Sequence, residues 1–204
     1  MKKNLLTAKK SRREGIALSD AAKHQRALTR RPFAPGVHGP DSRTRMTDYG
    51  KQLREKQKAK RMYGLNERQF SNLFAEMAKK TGDTGVQFIQ ALESRLDNVV
   101  YRSGLVKTRA AARQAVSHAQ FLLNGKKHNI PSYRVRSGDV IMIRDNKKTS
   151  ALWKDAEEKL SKSDKLSWIA ADPKTLSVKV TGVPTDKELQ QPFDIKMVVE
   201  FYSR

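Results

Sequence analysis

The chain contains no cysteine, which excludes a disulfide framework, a thiolate zinc site, an iron–sulfur cluster and a cysteine nucleophile. Histidine is almost as scarce. No two of His24, His38, His118 and His128 stand three to five residues apart, so no local ligand pair is indicated and neither a metal nor a cofactor is expected. Long apolar runs are missing as well: nothing approaches the roughly 18 residues that span a bilayer. The opening MKKNLLTAKKSRR turns to charge before a secretory hydrophobic segment can develop. The expectation is a cytoplasmic protein with no membrane partner.

Negative charge is the other shortage. Over 204 residues, 21 Asp and Glu face 42 Lys and Arg, a formal net charge of +21 with a pI near 10.3. Such a surplus repels itself in a compact state and is most easily understood when a polyanion neutralises it, which makes nucleic acid the leading partner class. The hydrophobic fraction is 37% and the mean hydropathy -0.73, enough for one or two folded units together with segments that do not fold alone. The charge is unevenly spread: residues 1–61 carry +13, 62–94 carry -1, 95–144 carry +8 and 145–204 carry +1. The two basic blocks are candidates for phosphate contact, and the near-neutral ones for packing against protein.

Residues 1–45 lack sustained periodicity and include RRPFAPGVHGP, where Pro32, Pro35 and Pro40 interleave with Gly36 and Gly39. This predicts an extended basic arm, with Lys9, Lys10, Arg12 and Arg13 clustered to be ordered by a polyanion, against the alternative of a solvated tail. Thr47 can cap a helix that carries Arg54, Lys58 and Arg61 until Gly64 interrupts it. Asn66 and Gln69 form a capping-box pattern. Phe70, Leu73, Phe74 and Met77 then recur with helical spacing toward Gly82, and a further helical stretch follows Thr84.

Residues 95–144 are the most informative. A helix from Arg95 to about Arg102 ends before Gly104, and Thr108 caps an alanine-rich helix whose Ala112, Ala115 and Val116 form a small apolar face. Arg109 and Arg113, four apart, share another face. Strand-type runs follow at Phe121–Leu123, Lys126–Ile130 and Val140–Ile143, the first two joined by Asn124-Gly125, a strong hairpin signal. Arg102, Lys107, Arg109, Arg113, Lys126, Lys127, Arg134 and Arg136 are then available on the outside. His118 and His128 can donate to a nucleic acid or sit at a core edge, and Tyr101 and Tyr133 can stack on a base or serve the core. Beyond residue 144, Ser150 can cap a helix through Leu152, Ala156 and Leu160, and Leu176, Val178 and Val180 alternate as a strand. The segment from Met197 to Tyr202 docks as either strand or helix.

The residues RLDNVVYR (95–102), TRAAARQAVSH (108–118), LNGKKHNIPSY (123–133) and GDVI (138–141) resemble the S-four RNA-binding domain. PGVHG (35–39), TDYGKQLREKQKAKRMYGLNERQF (47–70) and VVEFYSR (198–204) extend the resemblance to the ribosomal protein S-four family over nearly the whole chain. That resemblance implies an α+β fold: a basic arm over 1–45, a helical domain over 46–94 completed by 181–204, and an S-four domain over 95–180 of two helices and a small antiparallel sheet, with the C-terminus returning to the helical domain. It implies a primary binder of small-subunit rRNA without catalytic residues, which nucleates assembly of the 5′ domain and neighbours ribosomal protein S-five near the mRNA entrance. Arg43 and Arg45 then stand toward incoming mRNA. Ala8 and Ser11 occupy positions where zinc-bearing members have C-x-x-C, so no arm zinc is expected. The alternative is an RNA-modifying or regulatory protein using the domain as an anchor; P-loop, G-x-S-x-G and H-E-x-x-H patterns are absent.

Overall fold

The segment expected to be extended contains two helices. In the computed structural model, which describes residues 6–41, 45–162, 166–185 and 191–203, α1 (Ala8–Glu14) and α2 (Ala22–Arg30) fold in the arm. Their buried residues are mostly polar: Ser11, Glu14 and His24 are enclosed, and Leu18 is the one buried hydrophobic among the described residues up to 41. Apolar periodicity is therefore missing although helices form. Gly15 closes α1 at φ 71°, a left-handed conformation that residues with a Cβ adopt at a cost.

Local signals account for the helices that follow. The Thr47 hydroxyl accepts from the Gly50 amide and starts α3 (Asp48–Met62). Asn66 and Gln69 exchange both capping-box hydrogen bonds at the start of α4 (Glu67–Met77), which ends before the expected Gly82. The Asp83 carboxylate accepts from the Gly85 and Val86 amides at the start of α5 (Thr84–Glu93). Thr108, accepting from Ala111, caps α7 (Arg109–Ser117), which follows α6 (Leu96–Arg102).

The chain divides into two compact units, Met1–Phe88 with Gln191–Arg204, and Ile89–Gln190. The core of the first is aromatic: Phe70 meets Phe88 edge-on at 5.0 Å, and Tyr202 stacks on Phe74 at 4.7 Å. The segment left open between strand and helix is a helix, α10 (Ile195–Tyr202), packed along α3. Lys56 of α3 lies with its ammonium 4.1 Å from the Phe201 ring centre and donates to Glu67 at 2.7 Å, while Lys60 and the Tyr202 hydroxyl donate to the same carboxylate at 2.6 and 3.0 Å. Burial alone would raise the Glu67 pKa; these donors outweigh it and hold it down at about 2.

The second unit contains a five-stranded antiparallel sheet in the order β2-β1-β3-β5-β4, with β1 (Phe121–Leu123), β2 (Lys126–His128), β3 (Val140–Ile143), β4 (Ile169–Asp172) and β5 (Ser177–Val180). Phe121 and Leu123, Ile141 and Ile143, and Val178 and Val180 are the buried alternate residues of their strands. They form one core with Val99, Val100, Ala112 and Val116 of α6 and α7. Asn124 and Gly125 both take positive φ, 50° and 78°, as the tight hairpin requires. β2 ends at His128, short of the expected Ile130. The helix expected from Ser150 is instead a short α8 (Asp145–Lys148), a run of turns holding Trp153, and α9 (Ala156–Lys162). Among the described residues no helix is long and apolar enough to cross a membrane.

Candidate nucleic-acid interface

The arm is closed by polar contacts rather than by an apolar core. The Ser11 hydroxyl lies 2.6 Å from Nδ1 of His24 and accepts from the Leu18 amide at 3.3 Å, which fastens α1 to α2. Arg12 reaches the next turn of chain: its Nε donates to the carbonyls of Arg31 and Phe33 at 3.1 and 3.2 Å, and its guanidinium stands 5.2 Å from the Phe33 ring centre. With the turn held there, Lys9 and Arg12 from α1, Lys23, Arg26 and Arg30 from α2, and Arg31 line an open groove whose remaining walls are Ala8, Ala27, Pro35 and Gly36. Among the described residues, six cations and no carboxylate face this space. An anionic ligand with repeated charges is the chemistry that relieves their repulsion.

Burial lowers the His24 pKa from its ordinary value, and Lys23 pushes it the same way. A base whose folded pKa is depressed contributes stability that is fully present above its unfolded value, near 6.5, and is lost as pH falls through that value toward the folded pKa. Protection factors of the amides in residues 8–30, with rates corrected for the slower intrinsic exchange at lower pH, are expected to fall below about pH 6.5 while those of α4 hold. His24 titrating by NMR at or above the ordinary value would contradict this account.

Several other predicted contacts already have partners within the protein. Glu14, its side chain enclosed, pairs with Arg61 and at 3.4 Å with Arg54; burial raises its pKa against the pull of Arg54, Arg61, Lys58 and Arg13. Lys58 donates to Glu55 at 2.5 Å. Burial lowers the Lys10 pKa, with Arg61 and Lys60 adding to it. Lys9, Arg13 and Arg45 are exposed, and Arg43 lies outside the described residues.

In the second unit Glu93, 1% exposed, ends α5 and collects α6 and α7 around its carboxylate. Arg102 donates to it through Nε and Nη2 at 2.8 and 2.9 Å, and Asn98 donates to it at 2.7 Å. Arg109 sends Nε to Oδ1 of Asn98 at 2.8 Å, lies 3.8 Å from Glu93 and covers the Tyr101 ring at 4.4 Å. Arg95 and Asp97 form a separate buried fork. Lys107, His118, Lys126, Lys127 and Arg136 are exposed, Arg113 and Arg134 half-buried. Tyr101 thus carries Arg109, and Tyr133 packs against His128 at 4.8 Å. Lys23, Arg26, Arg30 and Arg31 escaped the sequence reading, although cations at 23, 26 and 30 recur with helical spacing.

Comparison with known proteins brings both units under one description. Residues 6–93 match the ribosomal protein S4/S9 N-terminal domain and residues 94–141 the S4 domain. The chain is 44% identical over 196 residues to the small ribosomal subunit protein uS4 of Chlorobium limicola, covering 96% of each chain. It is 46% identical over 197 residues to that of Latilactobacillus sakei, again 96% of each. Against the Borrelia turicatae protein of the same name, identity is 41% over 204 residues, all of this chain and 98% of the relative.

Proposed function

Since the chain belongs to the small ribosomal subunit protein uS4 family, we propose that it is a structural, rRNA-binding constituent of the small ribosomal subunit and acts as a primary binder that nucleates the 5′ domain. The near full-length match carries this reading. The acid-free groove of the arm and the exposed cations of the second unit are its physical counterpart. A-form RNA presents a deep, narrow major groove, so recognition rests on phosphates, 2′-hydroxyls and junction shape rather than on base edges. The RNA-facing residues are Lys9, Lys10, Arg12, Arg13, Lys107, Arg113, His118, Lys126, Lys127, Arg134 and Arg136, together with Lys23, Arg26, Arg30 and Arg31. Arg54, Lys58, Arg61, Arg102 and Arg109 also contact the RNA, each from a position fixed by the protein groups that hold it. Arg45 and Arg43 are contacts for mRNA, near ribosomal protein S-five in the cytoplasmic ribosome, and the protein performs no catalysis.

Binding to a 5′-domain rRNA fragment is expected to weaken with salt at a log–log slope of several units, since each phosphate contact contributes about 0.7 to 0.9. A footprint on deproteinised small-subunit rRNA should protect one continuous junction. Equal affinity for an unrelated RNA duplex would overturn the reading.

A further inference from the structure

We propose that Glu93 is a positioning residue for RNA binding: it sets the attitude of Arg102 and Arg109 at the corner where α5, α6 and α7 meet. The inference rests on the function proposed above and adds a role for an acidic residue within it.

The carboxylate is 1% exposed and must be satisfied internally. Arg102, through two hydrogen bonds, and Asn98, through one, engage both of its oxygens, and one guanidinium already balances its charge. Arg109 is therefore a second cation brought to one anion. It stands at the first residue of α7, where the positive end of the helix disfavours a cation and the first turn offers no acid of its own. The fold holds it there by three separate means: Asn98, the face of Tyr101 and the field of Glu93 at 3.8 Å. A charge placed against its local preference and fixed from three sides marks a site whose geometry matters more than its own stability. Arg102 and Arg109 keep 26% and 16% of their side chains exposed, so both remain within reach of a phosphate. Asn98 belongs to the same device because it bonds Glu93 through its amide nitrogen and Arg109 through its oxygen.

The full-length protein is titrated with a 5′-domain rRNA fragment at several salt concentrations, with thermal melting followed in parallel. Glu93→Gln raises the net charge by one, so an effect of charge alone would tighten binding. Loss of positioning is expected to weaken it about tenfold and to make the salt slope shallower by about one unit. The loss should vanish in an Arg102→Ala, Arg109→Ala background, because nothing is left to position. Equal or tighter binding by Glu93→Gln, or the same loss in that background, overturns the proposal. Should Glu93→Gln lose its thermal transition, Arg109→Lys decides: it keeps the charge but not the fork held by Asn98. An affinity about tenfold lower supports positioning, and unchanged affinity overturns it. Failure of the unaltered protein to bind the fragment would instead overturn the proposed function, and it appears before any variant is compared.

Discussion

A protein carrying Lys9→Glu, Lys23→Glu and Arg26→Glu together is expected to bind the rRNA fragment on the order of a thousandfold more weakly at moderate salt, with a slope shallower by about two to three units. Its melting temperature should be unchanged or slightly higher. Among the described residues the groove holds six cations and no acid, so three reversals take the summed charge of those residues to zero and place repelling carboxylates among the cations that remain. Stability moves the other way for a reason of position. Lys9 and Lys23 are the second residues of α1 and α2, where a carboxylate is favoured by the helix N-terminus by about 0.3 to 1 kcal/mol. Lys9, Lys23 and Arg26 are all exposed, so no buried partner is stranded. Filter binding and calorimetry separate the two effects. An affinity loss below tenfold would mean that the groove does not face the RNA, and a matching fall in melting temperature would make these cations structural.

The second large effect is thermodynamic. Trp153→Ala should destabilise the Ile89–Gln190 unit by about 3 to 5 kcal/mol, lowering its melting temperature by roughly 15 °C or more. Trp153 is 2% exposed, meets Phe121 edge-on at 5.4 Å and donates its indole N–H to Gln120 at 2.7 Å. Truncation leaves a cavity under the sheet and removes the partner of an amide oxygen. Trp153→Phe should recover most of the loss, since it refills the space but not the hydrogen bond. An alanine variant that melts within a few degrees of the unaltered protein would refute this account of the core.

What could be read in the sequence was what is decided within a few residues. Thr47, Asn66 and Thr108 cap helices through amides three positions on, and Asn124-Gly125 turns a hairpin by its own backbone preference. The helices of the arm were not legible because their shared interior is Ser11, Glu14 and His24, and a polar core leaves no hydrophobic period to detect. Trp153 and β4 escaped for a related reason, since a tryptophan in a run of turns and a four-residue edge strand carry no repeat. The cationic surface was legible as composition only. Arg109 reads as an exposed cation of an alanine-rich helix, because the carboxylate beside it, Glu93, lies in the segment whose net charge is -1. Segmental charge counts cannot see a neutralisation made across helices.

The division of the first unit into residues 1–88 and 191–204 also fixes a schedule during synthesis. The Ile89–Gln190 unit is complete in one stretch of chain and can close as it leaves the ribosome that makes it. The first unit cannot, because Phe74 waits for Tyr202, and Lys56 for Phe201. At ~5–20 residues per second, α10 follows α4 by on the order of 10 s. Throughout that interval the aromatic face of α4 and the basic arm emerge before the helix that completes their unit. The newly made chain therefore carries its basic arm ahead of the helix that closes its first core.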